Sequence, residues 1–200
     1  MRHAAQGWYP ARKGVIVRPT ELLKHEHQII LMVLEAAERE AQRIQDTGAV
    51  RADDVEHMVD FFRNFADRCH HAKEEDLLFA KMEERGVPMQ GGPIGVMLHE
   101  HDEGRRHVTG VADALPQARG GDPAALGTVR ANLLAFVHLL RAHISKEDNV
   151  LYPMADQLFT VTDQQALAEG FDRVEAEEIG AGVHERYHQM AHDLASEGTQ

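Results

Sequence analysis

Cysteine is nearly absent from this sequence, and long apolar runs and positive charge are also scarce. Because Cys69 is the only cysteine, neither a disulfide framework within the chain nor a cluster of thiolate metal ligands can form. The net charge of −12 disfavours nucleic acid or an anionic membrane surface as a partner. No apolar run approaches the roughly 18–20 residues that a membrane-spanning helix needs, and residues 1–18 lack the apolar centre of a secretory signal. We therefore expect a cytoplasmic protein.

Helical patterning dominates what is present. Apolar residues recur at alternating steps of three and four in four long segments, whereas strand-like alternation of useful length is missing. The connections are short, so consecutive helices are expected to be antiparallel neighbours. The sequence predicts an all-α fold, namely an antiparallel up-down four-helix bundle with an additional C-terminal helix. Its predicted parts are an N-terminal arm at 1–19, the bundle at 20–160 and a C-terminal helical extension at 161–200 that packs on the bundle.

Capping residues mark the expected ends of the helices. Side chains that can accept hydrogen bonds from the first backbone N–H groups precede three helices: Thr20, Asp122 and Thr162. Thr162 forms a capping-box pattern with Gln165. Glycines mark helix ends or interruptions at three positions: Gly48, Gly180 and Gly182. The second helix is expected over about 53–85.

Histidine is unusually frequent, with 14 copies, and several occupy core positions of the helical pattern. On a helix, residues four apart lie on one face. Each His-x-x-x-Glu pair in the second and fourth helices can therefore aim an imidazole and a carboxylate at one point. The inward set comprises four histidines and two glutamates: His27, His70, Glu74, His101, His143 and Glu147. Lys73 and Asp76 are expected to face outward, and Glu75 lies off the inward face.

The inward set repeats in register along the chain. Its single histidines are 74 residues apart, and its His-x-x-x-Glu pairs are 73 residues apart. The short word His-Glu-His at 25–27 recurs at 99–101. Independent structural histidines would have no reason to recur in this way. The chain is therefore expected to contain two helical hairpins related by a pseudo-twofold axis.

The inward set is suited to a pair of metal ions. Buried carboxylates need a counter-charge, and a cation supplies one while binding neutral imidazoles. Imidazole and carboxylate suit iron, manganese or zinc, and the ligands outnumber those of one tetrahedral zinc. We therefore predict two adjacent metals bridged by Glu74 and Glu147. His71 is either an exposed or interhelical side chain or a fifth imidazole; since Ile144 stands at its repeat position, the second case leaves one metal open to a small ligand such as O2.

With these residues the chain resembles the hemerythrin-like, or HHE cation-binding, proteins, which are four-helix bundles with a non-haem di-iron centre. The resemblance covers about residues 20–159 and rests on the order and spacing of the inward set in four segments. It implies two non-haem iron ions, Fe2+ or Fe3+, with an oxo or hydroxo bridge, and manganese or zinc as substitutes. The expected metal ligands are His27, His70, His71, Glu74, His101, His143 and Glu147.

Two departures from the oxygen-carrying hemerythrins bear on function. Arg105 stands where those proteins have a further histidine, four residues after the third-helix ligand. Their fourth-helix carboxylate follows the histidine by five residues, which would be Asp148, whereas the helical pattern and the repeat here favour Glu147. Plain oxygen carriage is therefore less favoured than sensing, peroxide or NO chemistry, or iron handling.

The sequence thus predicts a di-iron protein that binds or senses O2, NO or peroxide. Two alternatives stay open: a di-iron enzyme of catalase, peroxidase or NO-reducing type, and a regulatory module that depends on its metal. A His-Glu-x-x-His match at 184–188 has the form of a zinc-protease motif. Only 12 residues follow it, so we expect this segment to pack against the bundle. The oligomeric state is left open.

Overall fold

Six helices make up the part of the chain that the computed structural model describes, which is residues 18–180 and 182–196. They are α1 (Pro19–Thr47), α2 (52–84), α3 (Pro93–Arg119), α4 (Pro123–Leu158), α5 (161–179) and α6 (Val183–Ser196). No strand occurs among these described residues, so the all-α prediction is confirmed. The predicted N-terminal arm lies, up to residue 17, outside the described residues, and the predicted domain boundaries stay predictions.

The starts of α1 and α4 test two of the predicted caps. Asp122 caps α4 as predicted, because its side chain accepts a 2.7 Å hydrogen bond from the Ala125 N–H. The prediction for α1 is wrong, since Arg18 is the N-cap residue and Thr20 lies inside the helix. Pro19 occupies the first helical position, where its fixed φ and its missing N–H are suitable.

The C-terminal segment forms two helices where one was predicted. Thr160, not Thr162, begins α5: its hydroxyl accepts from the Asp163 N–H at 3.2 Å, and the Asp163 carboxylate accepts from the Thr160 N–H at 2.9 Å. The predicted interruption is confirmed. Gly180 and Gly182 have φ values of 84° and 83°, which favour glycine, and they separate α5 from α6.

Replacing the N-cap residue of α5 should lower the free energy of unfolding by a modest amount. Thr160→Val removes the hydroxyl that accepts from the first turn of α5, and we expect a loss of about 1 kcal/mol in the free energy of unfolding. Denaturant unfolding would measure this loss. Thr128→Val is the matched control, because the exposed Thr128 hydroxyl only donates back to the Ala124 carbonyl. Equal effects of the two substitutions would contradict a capping role.

The segments that carry the His-x-x-x-Glu pairs are wider than an α-helix. π-helical turns occupy Phe62–His71 and Lys73–Phe79 in α2 and Glu147–Leu151 in α4. Such turns place consecutive side chains closer together around the helix axis and often occur at functional sites. Both His70 and His71 are buried. The α-helical spacing used for the sequence predictions does not account for this second buried histidine.

Two apolar clusters enclose a polar layer along α1–α4. In α1 and α3 the chain first passes the cluster that contains Leu23 and Ile94, then the histidines, and last the cluster that contains Val33 and Val108. In α2 and α4 the order is reversed. Consecutive helices therefore run in opposite directions through the same three layers. Side chains of α5 join the first cluster, and side chains of α6 join the second.

Helix α4 is long and apolar enough to span a membrane by length and composition, contrary to the expectation that no segment is. It has 36 residues and contains an 18-residue window with few charged side chains. A core helix of a soluble protein passes the same test. Because α4 also contributes the buried His143 and Glu147, this property alone gives little support to a membrane location.

Candidate metal centre

The seven predicted ligand residues meet in one buried layer between the apolar clusters. Their ligand atoms form two groups that share Glu74, and within each group the atoms lie within 4.8 Å of one another. The first group consists of His27, His70, Glu74 and Glu147. The second group consists of His71, Glu74, His101 and His143. All seven side chains are buried; that they bind a metal stays a prediction.

Glu147 lies between the two groups. Its Oε2 atom is 3.3 Å from His27 Nε2 in the first group, and its Oε1 atom is 3.2 Å from His143 Nε2 in the second. Both oxygens are buried without a well-formed hydrogen bond. A buried carboxylate in this state is costly. A cation between the groups would satisfy both oxygens at once, so this side chain fits a bridging metal ligand.

Glu74 spans the same gap from the opposite helix. Its Oε2 atom, which is also buried without a well-formed hydrogen bond, is 3.6 Å from His70 Nε2 and 3.5 Å from His101 Nε2. Its Oε1 atom accepts a 2.5 Å hydrogen bond from the Tyr152 hydroxyl. Phe79 stands at the repeat position of Tyr152, so this phenol has no counterpart at the repeat position.

Each of the five histidines in the two groups forms a hydrogen bond from its outer ring nitrogen, Nδ1, to a carboxylate. The pairs are His27 with Asp148 (2.8 Å), His70 with Glu26 (2.8 Å), His71 with Asp67 (3.2 Å), His101 with Glu75 (2.7 Å) and His143 with Glu100 (2.9 Å). An ionised carboxylate only accepts, so each imidazole carries a proton on Nδ1, and in its neutral form it directs the Nε2 lone pair at the centre. Asp148 therefore supports an imidazole from outside, whereas Glu147 occupies the centre.

The supporting carboxylates follow the internal repeat, which sequence reasoning missed. Glu26 on α1 pairs with His70 on α2, and Glu100 on α3 pairs with His143 on α4. The remaining two symmetric pairs run between α4 and α1 and between α2 and α3. A signal was present, because both glutamates are the middle residue of the repeated His-Glu-His word. Helical periodicity alone does not reveal which histidine they contact.

Lys73 was expected to face outward, and this is wrong. Its side chain is only 1% exposed, and its ammonium forms ion pairs with Glu26 and with Glu175 of α5. The repeat-related Lys146 pairs with Glu100 but is 41% exposed. The difference arises because α5 packs over one half of the repeat, and a helix outside the repeat could not be placed from the repeat itself.

Electrostatics within the layer distribute protons unevenly. Burial and the nearby Glu147 raise the pKa of Glu74 well above its usual range. Burial would also raise the pKa of Glu147, but the ion pairs with His143 and His27 outweigh it and hold this pKa well below its usual range. Burial opposes the charged form of His143 as well, yet its carboxylate neighbours raise its pKa to about 9. In the metal-free protein, protons on these side chains thus provide the charge compensation that a metal would provide.

His71 lies inside the second group rather than at the surface. It is 6% exposed, and its ring stacks on the His101 ring with centroids 3.8 Å apart. Burial and the proximity of His101 hold the pKa of His71 well below its usual range, so the imidazole is neutral, as metal ligation requires. A cavity of about 240 Å³ borders this ring, together with Asp67 and Arg105.

Two further side chains, His184 and Cys69, lie outside the two ligand groups. His184 of the protease-like motif lies 3.9 Å from Glu26 and forms a third group with Glu26 and Glu175. The Lys73 ammonium already forms ion pairs with both of these carboxylates and so occupies the place that a cation would take. Burial raises the pKa of Cys69 to about 12, so this thiol is protonated and unreactive at neutral pH.

A buried cluster of imidazoles and carboxylates within a helical core defines a cation-binding helical protein. The family model described as hemerythrin HHE cation binding domain matches residues 18–155. The chain belongs to this family, and membership implies a metal cation, typically iron. The resemblance found in the sequence is thereby confirmed.

Curated relatives share parts of this sequence. The uncharacterized protein Rv1995 of Mycobacterium tuberculosis and the uncharacterized protein Mb2018 of Mycobacterium bovis are each 23% identical over 171 residues. That alignment covers 86% of this chain and 66% of each relative. The iron-sulfur cluster repair protein YtfE of Dickeya chrysanthemi is 34% identical over 89 residues, which are 43% of this chain and 40% of that protein. No solved structure matches.

Proposed function

We propose that this protein is a cytoplasmic non-haem di-iron protein that binds or senses O2, NO or peroxide. In this proposal α1–α4 form an antiparallel up-down four-helix bundle, and the iron ions occupy the layer between its apolar clusters. The supporting observation is the inequality of the two groups, which contain two and three imidazoles. A metal with fewer protein ligands has room for an external one.

The chain's residues divide the work between the two iron ions. The first iron would be held by His27 and His70, and the second iron by His71, His101 and His143. The two irons would be bridged by Glu74 and Glu147. Iron bound here supplies the electrons that O2, NO or peroxide accepts. The supporting carboxylates keep each Nε2 lone pair directed inward, and the apolar clusters exclude bulk water.

Iron content and optical spectra test the proposal. Protein loaded anaerobically with ferrous iron should contain about two iron ions per chain, as the two shared ligand groups require. Addition of NO, O2 or peroxide should then change the visible absorption. A content below about one iron per chain would contradict the di-iron assignment. Consumption of many equivalents of peroxide or NO would favour the enzyme alternative, and stability changes without any ligand response would favour the regulatory module.

Tyr152 should act on the external ligand. Its hydroxyl lies 3.3 Å from His27 Nε2, beside the group with two imidazoles, and an external ligand there would take over the proton that it donates to Glu74 Oε1 in the metal-free protein. Tyr152→Phe reproduces the residue found at the repeat position, Phe79. Loss of one hydrogen bond of about 1.4 kcal/mol would weaken NO or O2 affinity about tenfold, with unchanged iron content. Spectroscopic titration measures this affinity; an unchanged affinity would show that the external ligand binds elsewhere.

Release of iron for cluster repair is a second candidate. It is favoured by the partial similarity to the iron-sulfur cluster repair protein of Dickeya chrysanthemi. Iron-loaded protein would then transfer iron to an apo iron–sulfur protein faster than free chelated iron does. Transfer no faster than from the chelate would contradict this candidate and leave the ligand-binding proposal unaffected.

A further inference from the structure

Arg105 of α3 forms hydrogen bonds to α2 beside the second ligand group. Its Nε donates to Asp67 Oδ1 at 2.9 Å, and its Nη2 donates to Glu75 Oε1 at 2.7 Å. Its third nitrogen, Nη1, donates to Asp102 at 2.9 Å. The planar guanidinium thus holds two carboxylates of α2 in a fixed relation to one another, which a single ammonium group does not do.

The same two oxygen atoms also hold the outer nitrogens of two ligand-group histidines. Asp67 Oδ1 lies 3.2 Å from His71 Nδ1, and Glu75 Oε1 lies 2.7 Å from His101 Nδ1. The two rings stack nearly parallel, at 14°. One arginine therefore determines, through two carboxylates, how two adjacent imidazoles point toward the same metal position.

This arrangement has no counterpart in the other half of the repeat. Leu31 stands at the position related to Arg105, and Leu140 stands at the position related to Asp67. The arginine therefore accompanies the additional imidazole, His71, rather than the shared ligand set. Without the guanidinium, Asp67 could turn toward water, since its side chain is 30% exposed and borders the cavity beside His71.

We propose that Arg105 is a positioning residue that orients His71 and His101 for the metal with three imidazoles. It touches no ligand atom itself and acts through Asp67 and Glu75. Outer carboxylates of this kind typically change metal affinity by about 10- to 100-fold when they are removed. The effect on metal rests on the proposed function, whereas the effect on ring orientation exists in the metal-free protein.

The metal-free protein allows the first test, by nitrogen-15 NMR of the imidazoles. In the unsubstituted protein His71 and His101 should show a proton fixed on Nδ1. In Arg105→Met these two imidazoles should change toward a mixture of tautomers. The first-group histidines, His27 and His70, should stay unchanged as internal controls. Arg106→Met, at the adjacent exposed arginine, should change neither. Unaltered His71 and His101 signals in Arg105→Met would overturn the proposal, whether or not the protein binds iron.

Iron binding supplies the second test. Titration of Arg105→Met with ferrous iron should retain one tight iron and weaken the other by about 10- to 100-fold, and Arg106→Met should bind both as the unsubstituted protein does. Arg105→Lys keeps the charge if the larger change impairs folding, and it should still weaken one iron, because an ammonium lacks the planar fork. Unchanged affinity for both irons in Arg105→Lys would overturn the positioning role. Failure of the unsubstituted protein to bind two irons would refute the proposed function instead.

Discussion

Iron-loaded protein should unfold at a temperature about 8–16 °C above that of the chelated protein. A ligand at about a thousand times its dissociation constant stabilises the folded state by about 4 kcal/mol. For a chain of this size, each kcal/mol raises the unfolding temperature by about 2–4 °C. The structural cause is that a cation binds carboxyl oxygens of Glu74 and Glu147, which are buried without well-formed hydrogen bonds in the metal-free protein.

Scanning calorimetry of chelated and reloaded protein measures this difference. Magnesium is a suitable control cation, because it prefers oxygen ligands and dehydrates reluctantly, so the imidazole-rich layer should not bind it. Equal unfolding temperatures with and without iron would contradict a buried cation between the two groups. A gain with magnesium as large as that with iron would indicate binding at surface carboxylates instead.

Glu74→Gln should abolish most of this gain and leave the metal-free protein nearly unchanged. Burial and Glu147 raise the pKa of Glu74 well above its usual range, which favours the protonated, neutral form of this side chain in the metal-free protein. Glutamine then replaces one neutral group by another of the same shape, and its oxygen can still accept from Tyr152. We expect the free energy of unfolding without metal to change by about 1 kcal/mol or less, while a bridging ligand to both iron ions is lost.

Asp76→Asn is the matched control for this substitution. Asp76 is an exposed carboxylate two residues further along the same helix, and its replacement makes the same carboxyl-to-amide change outside the ligand groups. Calorimetry with and without iron should show the full metal-dependent gain in Asp76→Asn and little gain in Glu74→Gln. If Glu74→Gln kept the full gain, Glu74 would not be a bridging ligand.

The prediction of the inward residues depended on the local helical pattern and on the internal repeat. A helix presents every third or fourth residue to its core, so titratable side chains on an apolar face stand out without any knowledge of the neighbours. Recurrence of the His-x-x-x-Glu pair after 73 residues then related the two halves. The structure brings all the predicted ligand residues into one layer, and the all-α class is confirmed.

Contacts between helices could not be predicted in the same way. His27 forms a hydrogen bond to a carboxylate 121 residues away, and His70 forms one to a carboxylate 44 residues away. Periodicity within one helix does not predict such pairs. Lys73 illustrates the error that follows, since its position in α2 is polar in character and only the packing of α5 buries it. The π-helical turns were missed for a related reason, because they alter the spacing that the prediction assumed.

The sequence by itself determined that this is an all-helical chain with a repeated set of inward histidines and glutamates, since both follow from short-range spacing. Only the tertiary structure decided that Glu74 and Glu147 lie between two groups, that each of the five imidazoles in these groups forms a hydrogen bond to an outer carboxylate, and that Arg105 joins two of those carboxylates on one side. The physical reason is that these relations depend on how helices distant in sequence pack together. Such packing brings charges together in a low-dielectric layer, where each has to be neutralised by a partner.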